Sequence, residues 1–177
     1  LQYWLYGMRP ASQGWQQEYT RQLETLGFKT GEASPCCFYR ESDDVSCVVH
    51  GDDFTFEGPP KQLKEVADAL SKVWIVKVRA VLGPEAGDDK EVSILNRIVR
   101  WGEDCLWYEA DPRQGEKLVE ELGLVGANSV VPPGVRNTAQ QISREVELPF
   151  SECSFFRGAA ARANYLAADR PDIMFGS

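Results

Sequence analysis

Val48-Val49-His50-Gly51-Asp52-Asp53-Phe54 is the stretch on which the reading of this chain turns. Apolar residues lead in, two acids stand side by side after a glycine, and Phe54-Thr55-Phe56 leads out. The pattern predicts a β-hairpin, with strands near Val45–Val49 and Asp53–Glu57 and the acids at or beside its tip. Neighbouring carboxylates resist ionising together unless water or a cation offsets their repulsion. A tip that presents both is a seat for a hard cation bound through oxygen. The plainer reading is a solvated turn, because Gly and Asp are ordinary turn residues. The stretch alone favours the plainer reading, and the flanking sequence shifts the balance.

A chain of 177 residues suits one domain, or one domain with an appendage. Its 43% hydrophobic and 26% charged residues suffice for a globular core. No apolar run is long enough to span a bilayer, and the N-terminal stretch lacks the basic segment and cleavage site of a signal peptide. An intracellular setting, in cytoplasm or nucleus, is the expectation. Both ends read as cut from something longer. The five cysteines are Cys36, Cys37, Cys47, Cys105 and Cys153; an odd number without C-x-x-C spacing argues against a disulfide framework and against zinc. Core packing is the default for Cys36 and Cys37. A net charge of −8 counts against a free-standing nucleic-acid binder, since phosphate contacts need clustered Lys and Arg.

Around the hairpin the chain falls into order. Gly7 and Pro10 predict a loop, and Ser12 an N-cap for a helix whose Trp15, Tyr19, Leu23 and Leu26 form one apolar stripe, ended by Gly27. Cys36–Arg40 reads as a strand before the hairpin. His50, the only histidine, reads as a packed or hydrogen-bonded residue rather than a catalyst. Leu63, Val66, Ala67 and Leu70 mark a second helix, and Trp74–Val78 a following strand. Gly83–Lys90 is a polar loop; Val92–Trp101 and Cys105–Tyr108 read as two strands joined at Gly102-Glu103-Asp104. Asp111 and Pro112 open a third helix that stops at Gly123. Residues 125–149 read as a linker, and a fourth helix runs roughly over Ser154–Ala168. Antiparallel strands with segregated helices make an α+β fold. The domain division is 1–124, then the linker 125–149, then 150–177.

These pieces resemble the reverse transcriptase of copia-class LTR retrotransposons. Leu5-Tyr6-Gly7-Met8-Arg9-Pro10-Ala11-Ser12-Gln13-Gly14-Trp15 is similar to that family's Leu-Tyr-Gly-Leu-Lys-Gln-x-Pro-Arg-x-Trp loop and helix. Leu26-Gly27-Phe28, Pro35-Cys36-Cys37-Phe38 and His50-Gly51-Asp52-Asp53 follow in family order, the last in place of Tyr-Val-Asp-Asp. Phe156-Arg157-Gly158, Asn164-Tyr165-Leu166 and Arg170-Pro171-Asp172-Ile173 resemble the stretch that leads toward an RNase H domain. The resemblance covers almost the whole chain.

It implies a polymerase palm: an antiparallel sheet with helices on one face, then a linker and a connection helix. It implies RNA-directed DNA polymerase chemistry on a primer–template and dNTP with two Mg²⁺ ions, without a membrane. Asp52 becomes the main metal ligand of the hairpin and Asp53 the supporting carboxylate, both catalytic. Tyr6, Gly7 and Arg9 line the nucleotide and template site, Lys77 is a candidate proton donor or phosphate contact, and Val92–Tyr108 resembles the element that grips the primer. The family's other metal-binding aspartate lies upstream of the Leu-Tyr-Gly loop, so the expectation is an incomplete metal site and a fragment inactive in isolation. His50 and Gly51 replace Tyr-Val, Gln13 replaces Arg, and Ser34 replaces a common Asp. The rival reading is a non-enzymatic relic or partner-binding scaffold that keeps the palm shape, which the −8 charge favours.

Overall fold

The computed structural model describes residues 8–130, 138 and 146–174. The chain divides between Arg79 and Ala80 into two compact units. Both are antiparallel sheets combined with helices, so the fold is mixed α+β, with two sheets and four helices among the described residues.

In the first unit, helix α1 spans Arg9–Thr25. Pro10 sits in its first turn, where a missing N–H costs nothing and the ring presets a helical φ. The predicted start is thereby corrected: Met8, not Ser12, is the N-cap residue, and Pro10 opens the helix rather than a loop. The far end closes as predicted. Gly27 takes φ +87°, its N–H donates to the Glu24 carbonyl at 3.0 Å, and the Phe28 N–H donates to Leu23 at 3.1 Å. This is the Schellman arrangement, with Phe28 and Leu23 supplying the apolar contact that accompanies it.

Strands β1 (Lys29–Thr30), β2 (Cys37–Arg40), β3 (Val45–His50) and β4 (Asp53–Glu57) follow as an antiparallel meander in sequence order. Val45, Cys47 and Val49 alternate inward on β3, and Phe54 and Phe56 face the same way on β4. Helix α2, Pro60–Ser71, adds Val66 and Leu70. With Tyr19, Leu23, Phe28 and Phe38 these residues make one core between the sheet's inner face and both helices. Arg40 fastens the β2–β3 corner to the end of α1: it donates to the Leu26 carbonyl at 3.1 Å, stacks 4.9 Å over Phe28 and pairs with Asp43 at 2.8 Å. The hydrogen bond from Arg40 holds the Asp43 carboxyl below its usual range.

The predicted strand Trp74–Val78 does not form. Trp74 packs against the core cluster, but Ile75, Val76 and Val78 are exposed and pair with no strand among the described residues. High β propensity needs an available ladder, and this segment meets none.

The second unit holds β5 (Glu91–Ile94), β6 (Arg97–Trp101) and β7 (Leu106–Glu109), antiparallel in that order. The single strand expected over Val92–Trp101 is two strands. Leu95 and Asn96 both carry positive φ, 51° and 68°, which is the type I′ hairpin turn. Helix α3 runs Pro112–Glu121 with Asp111 as its N-cap, as expected. The fourth helix, α4, runs Phe150–Ala167, four residues earlier at its start than the sequence suggested. Most of the predicted linker, 131–137 and 139–145, lies outside the described residues.

Gly27→Ala is expected to lower stability by about 1–2 kcal/mol, the cost of a side chain in the left-handed region. Gly87, with an ordinary φ and open space around it, is the control: Gly87→Ala should stay within about 0.5 kcal/mol. Urea unfolding of the two variants checks the contrast.

Candidate functional site

The acidic pair stands where the hairpin reading put it. His50 and Asp53 pair across the ladder, leaving Gly51 and Asp52 as a two-residue loop. Gly51 takes φ +64° and Asp52 does not share the positive φ, the type II′ pattern that asks for glycine first. Directly opposed residues share a face. Val49 and Phe54 face the core, so His50 and Asp53 point to the other side of the sheet. Asp52, Asp53 and His50 are all exposed.

Helix α1 reaches this loop. The indole N–H of Trp15 donates to the Gly51 carbonyl at 2.7 Å. The same ring packs edge-on to Tyr19 and to Phe54, with centroids 5.8 and 6.2 Å away, and lies 5.0 Å from Trp74. Phe54 in turn sits 6.0 Å from Tyr19 and 5.8 Å from Trp74. An aromatic platform thus supports the tip from the core side, and one hydrogen bond fixes its backbone. Burial pushes the Tyr19 hydroxyl above its usual range, so Tyr19 stays neutral.

A cation reaches the pair from the segment after α2. Arg79 lies 3.5 Å from the Asp53 carboxylate, with both side chains more than half exposed. Such a pair is weak in water, but it offsets part of the repulsion between neighbouring carboxylates. Lys77, the residue the resemblance singles out, is exposed on the same unpaired segment, and it is Arg79 that makes the contact. Alternation in an extended segment puts residues 77 and 79 on one side, so that spacing was the available signal. Of the other predicted site residues, Tyr6 and Gly7 lie outside the described residues. Arg9 is in the first turn of α1, and its side chain is likewise outside them.

Two adjacent carboxylates match part of the oxygen set that Mg²⁺ takes, since that ion is commonly held by one or two carboxylates plus substrate phosphates and water. Among the described residues no group of three or more His, Cys, Asp or Glu side chains comes together around a cation. The pair therefore fits as a partial donor set, with Asp52 less encumbered than Asp53.

The second unit has a cleft of about 440 Å³ between β7, the start of α3 and the end of α4, but its polar groups are spent on one another. Asp169 accepts from Arg97 at 2.8 Å and from the Tyr108 hydroxyl at 2.7 Å, while Arg97 lies 5.3 Å over Tyr165. Buried Asp111 accepts from the Arg113 guanidinium at 2.9 Å and its backbone N–H at 3.2 Å. Arg100 is shared by Glu91 and Glu109, and Arg170 pairs with Asp172. These groups are paired with one another, some across elements and some within one turn, rather than waiting for a ligand.

Compared with protein-family models, curated proteins and solved structures, this chain matches none of them. No helix among the described residues is long and apolar enough to cross a membrane.

Trp15→Phe keeps a ring on the platform and deletes the donor to Gly51. The expected cost is about 1 kcal/mol, together with faster amide exchange at Asp52 and Asp53; unchanged exchange would show that the tip does not lean on the indole. A second test concerns pH. The hydrogen bond from Arg113 holds the Asp111 carboxyl below its ordinary value. A depressed folded-state value means stability that is present above the unfolded value, roughly 3.9, and lost as pH falls through the folded one. Asp111→Asn should therefore flatten the loss of stability below pH ~4, measured by thermal melts from pH 6 downward.

Proposed function

We propose that this chain is a palm-like portion of an RNA-directed DNA polymerase similar to the copia-type reverse transcriptases, in which Asp52 and Asp53 contribute part of a two-Mg²⁺ site. The observation that carries this reading is the Trp15–Gly51 hydrogen bond, 2.7 Å long. It joins the two most family-like motifs, the helix that ends the Leu-Tyr-Gly segment and the hairpin that bears the acids. Motif order in a sequence does not demand that these two meet.

On this reading each residue has a physical task. Trp15 holds the Gly51 carbonyl and so fixes the turn. Asp52, exposed and next to the glycine, is the main cation ligand, and Asp53 supports it. Arg79 balances Asp53 until a cation takes its place. A bound Mg²⁺ at such a pair would lower the pKa of a primer hydroxyl and offset charge at the transferred phosphate. The four-stranded meander with α1 and α2 sharing its inner-face core is what supports a palm-like description of the first unit. Primer–template and dNTP would be the partners.

A second reading, a non-enzymatic scaffold that retains this shape, is favoured by the net charge of −8. An amide NMR titration with Mg²⁺, repeated with a dNTP present, separates the two. The polymerase reading expects weak, millimolar shifts confined to Gly51–Asp53, lost in Asp52→Asn and strengthened by the dNTP. Shifts identical in Asp52→Asn would overturn the cation site. Binding of Mg²⁺ that the dNTP leaves unchanged would favour the scaffold.

A further inference from the structure

A second chemistry lies at the start of β2. Residues Ser34–Cys37 form a turn in which the Cys37 N–H donates to the Ser34 carbonyl at 3.0 Å. Within a strand, adjacent side chains leave on opposite faces. Cys36 precedes β2 and belongs to the turn, so alternation does not drive its thiol away from that of Cys37. Both sulfurs instead approach one atom: the Ser34 hydroxyl oxygen lies 3.2 Å from Cys36 Sγ and accepts from Cys37 Sγ at 3.5 Å. Both cysteines are free and half-buried, open enough for a small ion to enter.

We propose that Cys36 and Cys37 form a dithiol site for a soft, low-coordinate cation of the Cu(I) class. Two constraints point there. Adjacent Cα atoms are about 3.8 Å apart, short of the about 4.4–6.8 Å that disulfides span, so direct closure between the sulfurs would be strained. An interposed ion relieves this, because metal–thiolate bonds of about 2.3 Å on each side let the sulfurs stay apart. Soft thiolates select soft ions over Mg²⁺ or Ca²⁺, which keeps this site chemically separate from the acidic pair. The described residues bring no third metal-ligating side chain into a cluster, and two donors suit an ion of low coordination number.

Cys47, on β3, is not a third ligand. It is 1% exposed and packed in the hydrophobic core cluster, closed to an entering ion. Loading balances without electron transfer. Each of the two thiols loses its proton to solvent, two S–Cu bonds form, and one Cu⁺ becomes a bis-thiolate carrying a single negative charge.

The test titrates the whole chain, anaerobically and under reducing conditions, with Cu(I) supplied from a coloured bicinchoninate complex. One equivalent should be withdrawn from the chelator. Cys36→Ser and Cys37→Ser should each lower the affinity by no less than the about tenfold that loss of an outer-shell partner costs. Cys105→Ser and Cys153→Ser should leave it unchanged. Because two protons leave, apparent affinity should rise by about 100-fold per pH unit below the thiol range. Copper left on the chelator, or bound equally by both serine variants, would overturn the site. A measurement on the wild-type chain guards against misfolded variants: phenylarsine oxide condenses with two nearby thiols, forming two As–S bonds and releasing water. Peptide mapping should then find Cys36 and Cys37 jointly protected from alkylation, and protection of any other pair would also overturn the proposal.

Discussion

The pairing of His50 with Asp53 is the constraint on which the first unit depends. Side chains alternate along a strand, so a two-residue loop at Gly51-Asp52 decides every position on both sides of it. With this register Val45, Cys47, Val49, Phe54 and Phe56 share the core face, and His50 and Asp53 share the other. A slip by one residue would bury the acid and expose the phenylalanines. The hydrophobic penalty for that slip is what holds a charged tip at the end of an apolar hairpin.

Helix α1 turns this local geometry into tertiary structure. Leu23 and Tyr19 are buried by the sheet's inner face, and Trp15, one turn earlier, reaches the hairpin loop. The far end of the same helix is closed by Gly27 and by Arg40, whose planar guanidinium both stacks on Phe28 and meets a free helix carbonyl. The helix is thus tied to the sheet at two places, one for each end of the β2–β4 meander. The rings of Trp15, Tyr19, Phe54 and Trp74 carry the contact near the acids, which leaves the tip's backbone supported while its carboxylates stay in water.

The second unit uses a different device. Its sheet exposes every residue of β7, and ionic ties link elements that lie far apart in sequence. Asp169 gathers Arg97 and Tyr108, and Arg162 pairs with Glu121 to bind α4 to α3. The Arg97–Asp169 tie is the more buried, so losing one partner would leave the other unsatisfied, whereas the Arg162–Glu121 pair is open to water and weaker.

Local signals were strong where one short-range rule sufficed. The apolar stripe of α1, its glycine stop, the Asp111-Pro112 start of α3 and the Gly51-Asp52 turn could all be read from neighbouring residues. The Leu95-Asn96 turn was half hidden: Asn96 is a residue that tolerates positive φ, but Leu95, which must share it in a type I′ turn, gives no such signal. The fate of Trp74–Val78 could not be read, since β-forming side chains become a strand only beside an open edge. Which residues alternate and where acids meet a turn follow from backbone period and side-chain chemistry, and both are written in the order of residues along the chain. That Trp15 grips Gly51, that Arg79 answers Asp53 and that two thiols converge on Ser34 emerge once the chain is folded. Each of those contacts depends on directions in space that spacing along a chain does not specify.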